Sequence, residues 1–187
     1  MRTDLKLIPT MSVPKPDYAV GVPDPEVCSG KMSKEELAFI AEIAKDVGSW
    51  TELGGFIGRS FMCAGLAIKQ NGHIQVVDLG LGFYEWHGQT IYTTAKTLLL
   101  HRTDISCFLC KMDSARSAEY LRRTDVVFID AAHSYDMVFR DIKAWKDKCK
   151  IIMGHDYHEN HPGVIKAVNE MFGKPDKVVG SVWLKRL

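Results

Sequence analysis

The feature that most limits how this chain can fold is a repeated alternation. Short apolar runs at 50–53, 74–77, 126–129 and 151–153 each stop at a glycine or an aspartate (Gly54, Asp78, Asp130, Gly154), and a further run lies at 105–109. Segments with helical spacing separate them. The first opens on Ser33 and Glu36, a capping-box pair, and continues through Leu37, Ile40, Ala41, Ile43, Ala44 and Val47 to a stop at Gly48. Further helices are expected over 60–70, 89–101, 115–122, 136–145 and 163–172, with one or two last strands in 178–184. Strands that alternate with helices need crossover connections. The expected fold class is therefore α/β, with a doubly wound, mostly parallel sheet and helices on both faces. In such sheets ligands gather outside the carboxyl ends of the strands, so chemistry is sought just after each strand.

Composition narrows the partners. The chain has 187 residues, enough for one domain, and its 46% hydrophobic and 25% charged content is that of a folded core under a charged surface. A net charge of +1 with both signs mixed gives no basic stripe, so no nucleic-acid partner is indicated. No apolar run approaches the roughly 20 residues that a membrane-spanning helix needs. The five cysteines are an odd count without framework spacing, which suits a reducing cytoplasm. Cys107 and Cys110 form a CxxC, but inside a strand they would face opposite sides of the sheet, which argues against a redox or metal pair. Residues 1–31 are rich in proline and read as an arm, leaving 32–187 as a single domain.

Four strand ends carry polar chemistry. The stretch ELGGFIGRS at 52–60 supplies Glu52, Gly54, Gly55, Gly58 and Ser60. Its glycines let the backbone turn sharply ahead of a helix N-terminus, a natural seat for a charged ligand. The spacing is neither GxGxxG nor a P-loop, and a tight turn with no ligand would carry the same residues. Asp78 follows the next strand roughly 20 residues later, where an acidic side chain can bind ribose hydroxyls. Asp113 and Ser114 follow the third strand, where Asp113 either accepts from an adenine amino group or caps the next helix. The last cluster comes from two neighbouring strands: Asp130 with His133 and Tyr135, and His155, Asp156, Tyr157 and His158. Carboxylates and imidazoles there suit a divalent metal or proton transfer, although capping aspartates and surface histidines would read alike.

With these features in order, the sequence resembles the class I S-adenosylmethionine-dependent methyltransferase superfamily. It is most similar to the small-molecule O-methyltransferases akin to macrocin O-methyltransferase and the cephalosporin-hydroxylase-like proteins. The resemblance rests on ELGGFIGRS, on FIDAAHSYDMVFRDIKAW at 128–145 and on GHDYHENHPGVIKAVNEMF at 154–172. It implies a Rossmann-like fold. Glu52 and Gly54 would lie against the methionine part of the cofactor, with Gly55, Gly58 and Ser60 shaping the loop. Asp78 would hold the ribose, Asp113 and Ser114 would flank the adenine, and Asp130 would stand beside the sulfonium. In metal-using relatives an Asp130 equivalent binds magnesium with two acidic or amide groups after the fifth strand. Here that pair is His155 and Asp156, so a softer ion or none is implied. Asp130, His133 and His158 are then the catalytic candidates, the histidines as bases for a hydroxyl substrate.

Two further features bear on the substrate. The segment 79–88 brings Phe83, Tyr84 and Trp86 to a pocket or to the start of the next helix. The chain also leaves little room for a substrate lid, so the arm or the second copy of a homodimer would have to cover a small-molecule substrate. Competing readings are a non-catalytic methyltransferase-like binder, a nicotinamide-dependent oxidoreductase and a metallohydrolase. The absent GxGxxG counts against the second of these.

Overall fold

The computed structural model describes residues 31–86 and 88–187, and in them strands and helices alternate. In chain order the elements are α1 (Lys34–Ala44), β1 (Ser49–Leu53), α2 (Arg59–Ala67), β2 (His73–Val77), α3 (Ile91–His101), β3 (Ser106–Cys110), α4 (Ser114–Tyr120), β4 (Val126–Ile129), α5 (Tyr135–Trp145), β5 (Ile151–Gly154), α6 (Pro162–Phe172), β6 (Lys177–Val179) and β7 (Val182–Arg186). The arm read at 1–31 lies outside the described residues except for Lys31.

The sheet runs β3-β2-β1-β4-β5-β7-β6, parallel except where β7 sits antiparallel between β5 and β6. The chain builds outward from β1 to β3, then crosses back to β4, so the order reverses between β1 and β4. That switch point is where an open α/β sheet leaves a crevice. Register sharpens the point. Leu53 pairs with both Val77 and Ile129, Val77 pairs with Cys110, and Ile129 pairs with Gly154. The residues that follow, among them Gly54, Asp78, Lys111, Asp130 and His155, therefore stand in one row along the mouth.

Side chains alternate across the strands and feed two cores. Trp50, Ile74, Phe128 and Met153 pack with Leu37, Ile40, Phe61, Met62 and Leu98 under α1, α2 and α3. Leu53, Val77, Val127 and Ile152 pack with Val138, Ile142, Trp145 and Val168 under α4, α5 and α6. Burial on both faces is why these runs read as nearly continuous apolar stretches. Cys107 joins the first core and Cys110 the second, so the CxxC pair does point to opposite faces.

Helix α2 stops three residues short of the end expected from its spacing. Ile68 turns extended at ψ 149, and the Arg102 guanidinium donates to the carbonyls of Gly65, Leu66, Ile68 and Lys69. One side chain thus satisfies most of the orphan acceptors of a helix end. Replacing it leaves those carbonyls to water. We expect Arg102→Ala to lower stability by roughly 1–3 kcal/mol in urea unfolding. An unchanged midpoint would contradict this role.

Candidate active site

The loop after β1 is built from close approach. Gly54 adopts φ +87, and a Cβ there would lie 2.3 Å from the carbonyl oxygen of Asp130 and 2.5 Å from the Cα of Ala131. The turn after β1 thus rests directly on the turn after β4. Gly58, at φ +92, caps α2, and Gly55 packs against Val76. The glycines are explained by the protein's own packing. Beneath the loop, Glu52 is fully buried and its Oε1 accepts from the Ser60 hydroxyl at 2.8 Å. Burial pushes its carboxyl well above the usual range, against the Ser60 hydrogen bond, and the charges of Asp130 and Asp78 add to that.

Asp78 ties the loop to β2. Its Oδ2 accepts from the amides of Gly55 (2.8 Å) and Phe56 (3.3 Å), and its Oδ1 from the amide of Gly80 (2.6 Å). An ionised carboxylate has about four acceptor sites, so one remains for a ligand hydroxyl. Phe56 is exposed and packs against Tyr84 and Trp86, with ring centroids 5.4 and 6.3 Å away. With the exposed Phe83, these rings form an aromatic edge beside Asp78.

A cavity of about 470 Å³ lies outside β2 and β3, lined by Leu79, Lys111, Met112, Asp113, Arg116 and Tyr120. Asp113 lines it and also caps α4, accepting from the Arg116 amide at 2.9 Å and from the Arg140 guanidinium at 2.8 Å. The two alternatives left open by the sequence are thus compatible. Ser114 is different. Its hydroxyl donates to Asp141 Oδ1 at 2.6 Å, and its carbonyl accepts from the Trp145 indole N–H. The side chain is buried toward α5 rather than turned to the cavity, because it is the anchor of α4 on α5. Burial lifts the Asp141 carboxyl to about 6, against the pull of that hydrogen bond.

The ends of β4 and β5 converge on a second cluster. The Nε2 of His133 lies 2.8 Å from Asp156 Oδ2 and 4.0 Å from Asp130 Oδ1. His155 points one ring nitrogen at Asp130 and Asp156, at 3.7 and 3.4 Å, and the other at Glu36 of α1, at 3.5 Å. Burial works against charge on His155, but the three carboxylates outweigh it and lift its pKa to about 12. Burial also lifts Asp130, while Asp156 is held low by His155, His133 and His161 despite its burial. Three ligand atoms from Asp130, His155 and Asp156 do lie within 4.8 Å of one another. Both His155 nitrogens face carboxylates, so a cation held by this trio would take the place of the proton on the nitrogen that faces Asp130 and Asp156.

His158 stands apart from the cluster. Asp156 turns the chain at φ +61, and the following turn leaves the exposed His158 ring accepting from the Asn160 amide. His161 comes in instead, its Nε2 3.6 Å from Asp156 Oδ1 and its ring 4.6 Å from that of His133. The signal for it was Pro162, the first residue of α6. Proline at that position makes His161 the N-cap, facing the mouth. Glu36 was also missed, since the sequence showed only its capping box with Ser33.

Glu36 latches α1 to this cluster. It accepts from the Ser33 amide, and from both the amide and hydroxyl of Ser181 at 2.7 and 2.9 Å. Burial opposes its charge, but His155, Ser181 and Ser33 hold its pKa at about 2. A carboxyl held below its unfolded value stabilises the fold at pH above about 4.5, and that contribution is lost as pH falls toward 2. We therefore expect Glu36→Gln to cost roughly 1–3 kcal/mol at neutral pH. Thermal melts should show the gap to the parent closing as the pH falls toward 2. A gap independent of pH would contradict the latch.

Among the described residues, no helix is long and apolar enough to cross a membrane. A comparison with curated proteins finds no match. Solved structures share the fold. The O-methyltransferase TomG from Streptomyces achromogenes, in complex with SAM, superposes with a TM-score of 0.59 at 14% identity, covering 83% of this chain and 81% of that one. An O-methyltransferase from Bacillus cereus, in complex with SAH, gives 0.55 at 11% identity, over 79% and 71%. Precorrin-6y C5,15-methyltransferase from Geobacter metallireducens gives 0.58 at 14%, over 86% and 94%. At such identities the likeness is one of fold. The family profile described as a methyltransferase domain matches residues 51–157, more than half of the chain and the span from β1 to the turn after β5. The chain belongs to this methyltransferase-domain family.

Proposed function

We propose that this protein transfers a methyl group from S-adenosylmethionine to a hydroxyl oxygen of a small molecule. One observation carries the reading: Gly54, Asp78 and Asp130 stand in register at the switch point, beside the cavity at the ends of β2 and β3. The residues suit the cofactor. Asp78 keeps an acceptor site for a ribose hydroxyl, Leu79 and Met112 offer apolar surface for a flat base, and Asp113 offers an acceptor for its amino group. Bound there, the cofactor supplies an activated methyl group on a sulfonium, and the protein's task is alignment. Asp130 at the end of β4 would face the positive sulfur. The domain that does this is residues 32–187, and we place the protein in the cytoplasm, with a homodimer as one way to cover the substrate.

Oxygen is favoured as acceptor because the mouth holds a base. His133 Nε2 lies 2.8 Å from Asp156 Oδ2, which fixes the imidazole; in the tautomer that donates from Nε2, its Nδ1 lone pair would take a hydroxyl proton. We expect His133→Gln to lower turnover about 100-fold or more while leaving S-adenosylhomocysteine affinity unchanged. His158→Gln should match the parent. The check is label transfer from methyl-labelled S-adenosylmethionine to a panel of phenols and alcohols. Full activity in His133→Gln would overturn the assignment of the base.

A further inference from the structure

The exposed edge of the same cluster has a second capacity. We propose that His133, Asp156 and His161 form a binding site for a borderline first-row divalent cation such as Zn²⁺, sharing Asp156 with the magnesium-type position at Asp130 but drawing its other two ligands from His133 and His161. The two imidazoles address one carboxylate from its two oxygens: Nε2 of His133 lies 2.8 Å from Oδ2, and Nε2 of His161 3.6 Å from Oδ1. One ligand atom from each residue falls within 4.8 Å of the other two. Ligands at zinc bond lengths of 2.0–2.2 Å stand about 3.4 Å apart in a tetrahedron, so modest side-chain rotation closes the set.

Three elements position the ligands. His133 follows β4, Asp156 follows β5 and is held at φ +61, and His161 is the N-cap of α6. His155 reaches the same Asp156 Oδ1 at 3.4 Å and otherwise faces Glu36 and Asp130. Two imidazoles and one carboxylate are the donor set of borderline transition ions; magnesium prefers oxygen alone. His133 is 46% exposed and His161 35%, so open coordination positions face the mouth. This deepens the methyl-transfer reading and rests on it only for its consequence. An ion there displaces the proton shared by His133 and Asp156. In the metal-free protein His133 is the base; with an ion bound, its Nε2 would be a ligand and the ion would supply the polarisation of the substrate hydroxyl.

The test is calorimetric titration of the untagged, chelator-treated full chain with ZnCl₂, and separately with MgCl₂. We expect one Zn²⁺ per chain at micromolar affinity or tighter, and Mg²⁺ at least about 100-fold weaker. His161→Gln and His133→Gln should each weaken Zn²⁺ binding more than about 10-fold, with His158→Gln unchanged and circular dichroism showing all variants folded. Absence of Zn²⁺ binding, equal affinity for Mg²⁺, or binding unaffected by His161→Gln would overturn the site. Titrating the same samples with S-adenosylhomocysteine separates the two ideas. Nucleoside binding without Zn²⁺ binding sinks the metal site alone, and the reverse sinks the methyl-transfer reading alone.

Discussion

Gly54→Ala should lower stability by more than about 4 kcal/mol, a large part of the 5–15 kcal/mol that holds a typical domain together. Two effects add. A residue with a side chain at φ +87 costs about 1–2 kcal/mol in the left-handed region. The new methyl would also lie 2.3 Å from the Asp130 carbonyl oxygen and 2.5 Å from the Ala131 Cα, both backbone atoms that cannot rotate away. Relief would require β1 and β4 to part at the centre of the sheet, where Leu53 pairs with Ile129. For a chain of this size the melting temperature should fall by about 10 °C or more. A variant melting within a degree or two of the parent would mean that the two turns do not touch as described.

Asp78→Ala should leave the fold standing and remove the cofactor. The residue is half-buried at the mouth, outside both cores, so little packing is lost. What it loses is the acceptor for the amides of Gly55, Phe56 and Gly80. A ribose hydroxyl bound to this charged acceptor contributes about 1.5–3 kcal/mol, and the loop that Asp78 orders forms one wall of the proposed pocket. We expect S-adenosylhomocysteine affinity to fall by about 100-fold or more, since each 1.4 kcal/mol is a factor of ten. Asp156→Ala, by contrast, should chiefly lower turnover, because Asp156 contacts His133, His155 and His161 rather than the glycine loop. If Asp78→Ala binds as the parent does, the pocket has been placed on the wrong side of the sheet.

Local rules made the scaffold legible. Apolar runs of strand length, stopped at Gly54, Asp78, Asp130 and Gly154, placed four of the seven strands within a residue at either end. They also put the polar row at the correct end of the sheet. Parallel pairing then aligned residues that the sequence could only propose as neighbours. The details that failed depend on contacts distant in the chain. Ser114 looked like a ligand group but is turned inward by Asp141, 27 residues away. Glu36 looked like half of a capping box, which it is, and its remaining oxygen reaches Ser181, 145 residues away. The choice between His158 and His161 turned on the left-handed backbone of Asp156, which an aspartate tolerates but does not announce.

The same contrast explains the metal question. Sequence order put His155 beside Asp156 and suggested that both would serve one ion. The structure keeps His155 3.4 Å from Asp156 and adds Glu36 and Asp130 as its partners, while the turn after Asp156 brings in His161, which the sequence order did not suggest.

The central claim is that the crevice at the ends of β1, β2 and β4 is an S-adenosylmethionine site. Calorimetric titration of the purified protein with S-adenosylhomocysteine, with NADH as the control ligand, tests it most directly. The account predicts one-to-one binding of the adenosyl compound in the micromolar range, lost in Asp78→Ala, and no heat from NADH. Binding of NADH in its place, or of neither ligand, would contradict it.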